Sequence, residues 1–265
     1  MDEKLVEEAM KKAKELDVPI SLHEEDPAYI KQPGVNQGKV SEQLNYGGAS
    51  YLAEAVMVKR DCELAVKTGA KVDIQHISSG VAVDYVKEAK EKGANVYAEA
   101  SPHHFTLTEE AVLKYGTLAR MNPPLRTEED RQRIIKGLQE GTIEIIATDH
   151  APHSKEEKDK PLDQAPSGIT GIETSLALGV TELVEKGYLS MMQLLEKMTI
   201  NPAKLYNMEQ GRLQEGKPAD VVLFDPEEEW EVKEYKSKAT NSPFTGWKLK
   251  GKVKYTICDG KIIEL

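Results

Sequence analysis

The sequence predicts an α/β fold built on a parallel sheet, followed by a smaller β-rich region. Helical and strand-like patterns alternate through the first two-thirds of the chain, and polar residues stand at the C-terminal ends of the strand-like runs. Such alternation is typical of parallel β/α units, which place their chemistry at the carboxyl edge of the sheet. The pattern changes near residue 208, so we expect domains at residues 1–208 and 209–265.

The elements of the first region follow from the spacing of apolar residues. Apolar positions three and four apart predict helices, and short apolar runs predict strands. Thr127 can cap a helix whose first turn is acidic, and Gly93 can end another. Helices are expected at residues 5–16, 50–69, 81–92, 128–139, 172–187 and 190–198, and strands at 18–22, 72–77, 95–100 and 143–148.

The second region predicts a small β module. Residues 219–225 and 252–265 have strand character, and Asp259-Gly260 can turn the chain between two strands. Trp230 and Trp247 belong to this region, and we expect both to pack in its interior.

Composition narrows the function. The net charge of −10 disfavours nucleic-acid binding, which requires a basic face. There is neither an apolar run that could cross a bilayer nor a signal peptide, so we expect a cytoplasmic protein without membrane contact. Cys62 and Cys258 are too few for a disulfide scaffold or a cysteine zinc site, and we expect both to be buried.

Three residues at strand ends suggest a metal site. His23 and His76 follow neighbouring predicted strands, and Asp149 follows the fourth. Neutral imidazoles and a carboxylate suit Zn²⁺, and hydrolytic zinc sites often combine them. For His103 and His104, which follow Ser101-Pro102 in a turn, we expect a framework role instead. The pattern therefore predicts descent from a metal-dependent hydrolase.

The residue types also suggest a mechanism. A divalent metal lowers the pKa of bound water toward ~7, which makes a nucleophile available at neutral pH. A neighbouring carboxylate can accept the water proton and pass it to the leaving nitrogen. Asp149 is the best candidate for this catalytic role, because His150 and His153 flank it.

Four segments make the resemblance to a known family specific. They are Leu22–Asp26 (LHEED), Ser101–Phe105 (SPHHF), Met121–Arg126 (MNPPLR) and Ala147–His153 (ATDHAPH). In order and spacing they resemble the signature blocks of bacterial dihydroorotases of the amidohydrolase superfamily, and the likeness extends over essentially residues 1–265. It implies the C-terminal half of a (β/α)8 barrel, strands five to eight, plus part of a small β-sandwich.

The resemblance also implies roles for individual residues. His23 and His76 match the two histidines that hold the more buried metal, and Asp149 matches the aspartate that contacts the metal site and shuttles the proton. Asn122 matches an asparagine that binds the dihydroorotate ring. His153 matches a histidine that helps to hold the substrate carboxylate.

A further match is Gly168, which corresponds to a backbone contact to the ring. The Lys155–Lys160 run resembles the family's active-site loop, although a mixed charge run is usually a solvated face.

Some of the family's site is missing from the sequence. There is no His-x-His motif, and the family's bridging aspartate, with an arginine and an asparagine for the substrate carboxylate, is expected upstream of Met1. Half a barrel would expose two parallel edges, which favours association. We therefore expect a fragment or a homo-oligomer, with little activity as an isolated monomer.

Three functions stay open at this stage. The first is the zinc-dependent, reversible conversion of (S)-dihydroorotate to N-carbamoyl-L-aspartate, a step of pyrimidine biosynthesis. The second is a non-catalytic homologue that acts as a structural or regulatory partner, for instance of another pyrimidine-pathway enzyme. The third is a hydantoinase- or allantoinase-type cyclic amidase, which Asn122 and the MNPPLR block disfavour.

Overall fold

The structure is a computed structural model that describes residues 2–264. The chain divides into two compact units. The first unit comprises Met1–Gly171 and Ser237–Pro243, and the second comprises Ile172–Lys236 and Phe244–Leu265. Leu265, the last residue of the predicted β module, lies outside the described residues. The predicted domain boundary at residue 208 stays a prediction.

A four-stranded sheet lies at the centre of the first unit, with all neighbouring strands parallel and in the order β1-β2-β3-β4. The strands are β1 (Ile20–Leu22), β2 (Val72–Ile74), β3 (Val96–Ala100) and β4 (Ile145–Ile146). The helices are α1 (Glu3–Glu15), α2 (Lys39–Gln43), α3 (Leu52–Thr68), α4 (Gly80–Glu91), α5 (Pro102–Thr106), α6 (Ala111–Tyr115), α7 (Glu128–Glu140) and α8 (Lys155–Lys158).

The sequence explains these elements locally. The Asp2 side chain accepts the backbone N–H of Lys4 and Leu5 and so caps α1. Thr127 caps α7 in a reciprocal arrangement with Asp130, as expected from the sequence. Strand β2 has no exposed residue, in keeping with a parallel sheet that is covered on both faces.

A buried polar network anchors the loop between β2 and α4. The Glu54 carboxylate, on α3, accepts the backbone N–H of Ser78 and of Ser79, each at 2.9 Å, and the Ser78 hydroxyl. The Arg126 guanidinium donates to the Ser78 Oγ at 3.1 Å and to the Asn36 Oδ1 at 2.8 Å. Burial lowers the pKa of Arg126. The loop that follows His76 is therefore held by charged groups that are shielded from water.

The second unit contains helices and an antiparallel sheet of order β5-β6-β7. Within it, Trp247 packs edge-on against Phe244 with ring centroids 5.1 Å apart. Its elements are α9 (Ser175–Gly179), a π-helical turn (Val180–Val184), α10 (Met191–Met198), α11 (Ile200–Leu205), β5 (Val221–Glu231), β6 (Lys248–Cys258) and β7 (Lys261–Glu264).

The predicted helices and strands are largely confirmed, with differences in the bounds of some elements and in the burial of one cysteine. The helix predicted at residues 172–187 begins at Ser175 and changes to a π-helical turn at Val180. The strand predicted at residues 143–148 is reduced to Ile145–Ile146, because the chain turns away into the loop that carries Asp149. Cys258 is exposed rather than buried, whereas Cys62 is buried as expected. None of the helices within residues 2–264 has the length and apolar character of a membrane span.

The Glu54 network leads to a stability prediction. Replacing Glu54 with alanine removes the acceptor of two buried N–H groups and leaves the Arg126 charge less compensated. We expect Glu54→Ala to lower the free energy of unfolding by roughly 3 kcal/mol. Urea denaturation of the full chain measures this loss. The matched control is Glu63→Ala, an exposed glutamate on the same helix, and equal losses in the two variants would contradict the network's role.

Candidate active site

Two histidines meet at the carboxyl ends of β1 and β2. His23 follows β1 directly, and His76 lies two residues beyond β2. The His23 Nδ1 lies 3.0 Å from the His76 Nε2, and the ring centroids are 4.8 Å apart at a steep angle. His23 also approaches Glu25, with Nε2 3.7 Å from Oε2. The parallel register of Leu22 opposite Ile74 brings the two rings together.

His76 is held as a neutral imidazole. Its side chain is buried, and burial lowers its pKa to about 3, with a further contribution from His23. Its Nδ1 is buried and has no hydrogen-bond partner among the described residues. The backbone at His76 has φ of +34°, a left-handed conformation that is unusual for a non-glycine residue. A buried neutral imidazole keeps a ring lone pair that can bind a metal ion.

Asp149 lies on the loop after β4. Its backbone is also left-handed, with φ of +46°. Burial raises the pKa of its carboxyl group, and the nearby His23 partly offsets this effect. Two of the three residues that the sequence places at strand ends thus have strained backbones, which is common where a side chain is aimed into a site.

The structure does not gather all these groups into one cluster. Among residues 2–264, no three His, Cys, Asp or Glu side chains lie close enough together to hold a metal ion. His23 and His76 are brought into contact, and the electrostatic influence of His23 reaches Asp149. The metal-binding role of Asp149 stays a prediction.

His103 and His104 form a second, buried histidine pair. Their ring centroids are 4.4 Å apart, and burial lowers the pKa of both. The His104 Nε2–H donates to the Pro123 carbonyl at 3.0 Å, next to Asn122 in the MNPPLR block. This bond ties two of the resemblance blocks together, in keeping with the framework role expected for His104.

His153 and Gly168 face each other across two loops. The His153 Nε2–H donates to the Ser167 carbonyl at 3.0 Å. A Cβ built on Gly168 would lie 2.6 Å from the Ala151 Cβ and 3.1 Å from the His153 Nε2, and its φ is +137°. Both the close approach and the backbone conformation require glycine at this position.

Two residues that sequence reasoning did not identify hold these loops. Asn241 is buried, and its side chain contacts both loops. Lys158 belongs to the charge run that the sequence suggests is solvated, yet it is only 3% exposed, and its Nζ donates to the Pro166 and Gly168 carbonyls. Burial, together with the neighbouring Arg120, lowers the pKa of Lys158 to about 8. An asparagine far along the chain and one lysine among several carry no local signal of burial.

Two pairs of acidic residues are buried close to the histidines. Burial, with the neighbouring Asp73, raises the pKa of Glu99 well above its ordinary value. Likewise burial, with the neighbouring Asp61, raises the pKa of Glu24. In each pair burial disfavours the charged form, and the second carboxylate adds repulsion, so the protonated form of one carboxyl group is favoured.

The chain is similar to known proteins over nearly its whole length. The chain is 68% identical over 263 residues to the dihydroorotase of Clostridioides difficile, a match that covers 99% of this chain and 62% of that protein. It is 54% identical over 265 residues to the dihydroorotase of Clostridium acetobutylicum, again with 99% and 62% covered. The chain thus spans about three-fifths of the length of these relatives.

Solved structures of hydantoinases have a similar fold. The L-hydantoinase (dihydropyrimidinase) of Arthrobacter aurescens matches with a TM-score of 0.86 and 25% identity, over 100% of this chain and 61% of that one. The D-hydantoinase (dihydropyrimidinase) of a Thermus species matches with a TM-score of 0.87 and 24% identity, over 99% and 60%. The sequence model of the amidohydrolase family matches residues 2–263. The chain belongs to the amidohydrolase family.

Proposed function

We propose that the chain carries part of the active site of a dihydroorotase-type cyclic amidohydrolase. The reaction is the reversible hydrolysis of (S)-dihydroorotate to N-carbamoyl-L-aspartate. The observation that carries the proposal is the contact between His23 and His76 at the carboxyl edge of the sheet, in a chain 68% identical to a protein named dihydroorotase. Family membership supplies the reaction class, and the site residues supply the chemistry.

We infer that β1 to β4 form half of a (β/α)8 barrel. Four parallel strands in sequential order, with helices between them, are the repeating unit of that fold. The likeness to the hydantoinases, with TM-scores of 0.86 and 0.87, supports the same architecture. In such barrels the active site lies at the carboxyl ends of the strands, which is where His23, His76 and Asp149 are found.

We propose that His23 and His76 hold a divalent metal, with Zn²⁺ as the first candidate. The His23 Nδ1 and the His76 Nε2 lie 3.0 Å apart, so these two residues would be the ones to hold one ion between them. The low pKa of His76 keeps its lone pair available at neutral pH. When bound, such an ion acts as a Lewis acid and activates water.

Asp149 is proposed to move the proton. It accepts a proton from the attacking water and returns it to the ring nitrogen as the amide bond breaks. Burial raises the pKa of its carboxyl group, which makes the protonated form easier to reach during the cycle. In hydrolysis the Asp149 carboxylate therefore acts first as a base toward water. It then acts, once protonated, as an acid toward the ring nitrogen.

Asn122, His153 and Gly168 are proposed to bind the substrate. An amide side chain offers both a donor and an acceptor to the amide groups of the ring. An imidazole suits the substrate carboxylate through hydrogen bonding and charge. The glycine allows the backbone to approach the ring closely, since a side chain at position 168 would collide with Ala151.

A hydantoinase-type activity is the second candidate. The structural likeness to hydantoinases favours it, but that likeness is at 22–25% identity, far below the 50–68% identity to proteins named dihydroorotase. A role as a non-catalytic structural or regulatory partner, and association with a second copy or another pyrimidine-pathway enzyme, stay predictions. Turnover of dihydroorotate compared with hydantoin by the full-length protein separates the two enzymatic candidates.

Metal binding and substrate binding can be separated by mutation. We expect His76→Ala to lose most of its bound zinc, since a zinc ligand is removed, whereas His153→Ala keeps the metal and raises the KM for dihydroorotate roughly tenfold. Metal content per chain, measured on the purified full-length protein, tests the first claim without any assay of activity. Full metal content in His76→Ala would refute the ligand assignment.

Proton transfer can be tested at Asp149. Asp149→Asn keeps the shape of the side chain but cannot accept a proton, so we expect kcat to fall by about 10²–10⁴-fold. The variant should still bind dihydroorotate, which equilibrium binding measures. Asp163→Asn, an exposed aspartate within the same region of chain, is the control and should retain its kcat. A D149N variant with nearly normal kcat would exclude the proposed role.

A further inference from the structure

Asn241 lies in a short segment that interrupts the second unit in sequence but belongs to the first. The segment is Ser237–Pro243. Asn241 is 4% exposed, so its polar amide is shielded from water. A buried amide is costly unless its donors and acceptors are used. Its partners therefore indicate what this residue does.

The Asn241 amide uses its whole hydrogen-bonding capacity on two loops. Its Oδ1 accepts the His153 N–H at 3.0 Å and the Thr170 hydroxyl at 2.7 Å. Its Nδ2 donates to the Ala151 carbonyl and to the Gly168 carbonyl, each at 3.1 Å. An asparagine side chain has two donor hydrogens and two acceptor lone pairs, and all four are used here.

Apart from Asn241, a few individual bonds join the two loops among the described residues, including the Gly171 N–H that donates to the His150 Nδ1 at 3.2 Å. The Ala151 N–H donates to the Ile169 carbonyl at 2.8 Å, and His150 pairs with Ile169 as an isolated bridge. The His153 ring bonds to the Ser167 carbonyl. Neither loop belongs to a regular sheet at these positions. The asparagine therefore supplies cross-links that secondary structure does not.

We propose that Asn241 is a positioning residue. It holds the loop of residues 151–153 and the loop of residues 167–170 in the relative position needed to bind a carboxylate-bearing cyclic amide. This inference rests on the proposed function, since His153 and Gly168 are the predicted substrate contacts. Asn241 itself need not contact substrate, because its four partners occupy its amide. Lys158 supports the same relative position by donating to the Gly168 carbonyl at 3.2 Å.

The chemistry of the four bonds restricts this position to asparagine. An aspartate keeps both acceptor functions but turns an oxygen toward the carbonyls of Ala151 and Gly168, where a donor is required. A leucine of similar shape leaves the His153 N–H and the carbonyls of Ala151 and Gly168 without the hydrogen-bond partner that the Asn241 amide provides. Asn241→Asp therefore removes the two hydrogen bonds that the Asn241 Nδ2 donates, with little change in side-chain volume.

The test uses steady-state kinetics with dihydroorotate and backbone hydrogen exchange on the full-length protein. For Asn241→Asp we expect the KM to rise roughly tenfold and kcat to change less than about threefold, because the binding loops shift while Asp149 and the histidines stay. Exchange of the backbone N–H groups of Ala151, His153 and residues 168–170 should accelerate. A merely structural role would instead lower the active fraction, and hence apparent kcat, at unchanged KM.

Two further variants keep the test decisive. Thr170→Val removes one bond to the Asn241 Oδ1 without adding a buried charge, so we expect the same pattern at about threefold in KM even if Asn241→Asp fails to fold. Asn95→Asp, at an exposed asparagine before β3, is the control and should behave as the unchanged protein.

The outcomes separate the two claims. Unchanged KM and unchanged exchange in Thr170→Val, or in a folded Asn241→Asp, would overturn the positioning role. If the unmodified protein neither binds nor turns over dihydroorotate, the proposed function fails. The exchange rates then still decide whether Asn241 joins the two loops.

Discussion

The geometry of the site depends on a constraint that parallel sheets impose: every strand must end at the same edge, and the chain must then turn away without exposing its backbone. After β2 this turn carries His76, and the following amides find their acceptor in the Glu54 carboxylate. The Arg126 guanidinium, which donates to the Ser78 hydroxyl, balances the carboxylate charge. A buried ion network of this kind costs desolvation, and it is retained here where a loop must adopt one conformation.

Buried side chains also pair the backbone groups of the loops after β4. There the His153 N–H and the carbonyls of Ala151, Ser167 and Gly168 are paired with side chains, not with a regular sheet. Asn241 and Lys158 supply donors to the Gly168 carbonyl from two directions. Polar side chains brought from other parts of the chain thus complete the hydrogen bonding of loops that carry function, which keeps buried backbone groups paired. The functional residues lie on these loops, whereas the anchoring residues lie outside the recognised motifs.

The pKa values of the ionisable side chains near the site are shifted mainly by burial, which the residue types alone do not reveal. Burial lowers the pKa values of His76, His103 and His104, which favours their neutral forms, and it raises the pKa values of Glu99 and Glu24. A set of neutral imidazoles is suited to metal ligation, because a protonated ring has no lone pair to donate. The chemistry proposed for the site therefore depends on the tertiary structure as much as on residue type.

The order of the main helices and strands, the parallel sheet, and the positions of His23, His76 and Asp149 at strand ends could be predicted from the sequence, because apolar periodicity and strand polarity are local properties. Four short blocks sufficed to indicate the amidohydrolase family. Four features became visible only in the folded chain: His23 and His76 touch, Lys158 is buried, Cys258 is exposed, and Asn241 joins two loops. These features depend on partners up to 90 residues away. No local pattern encodes such distant contacts, since burial and hydrogen-bond partners are set by packing.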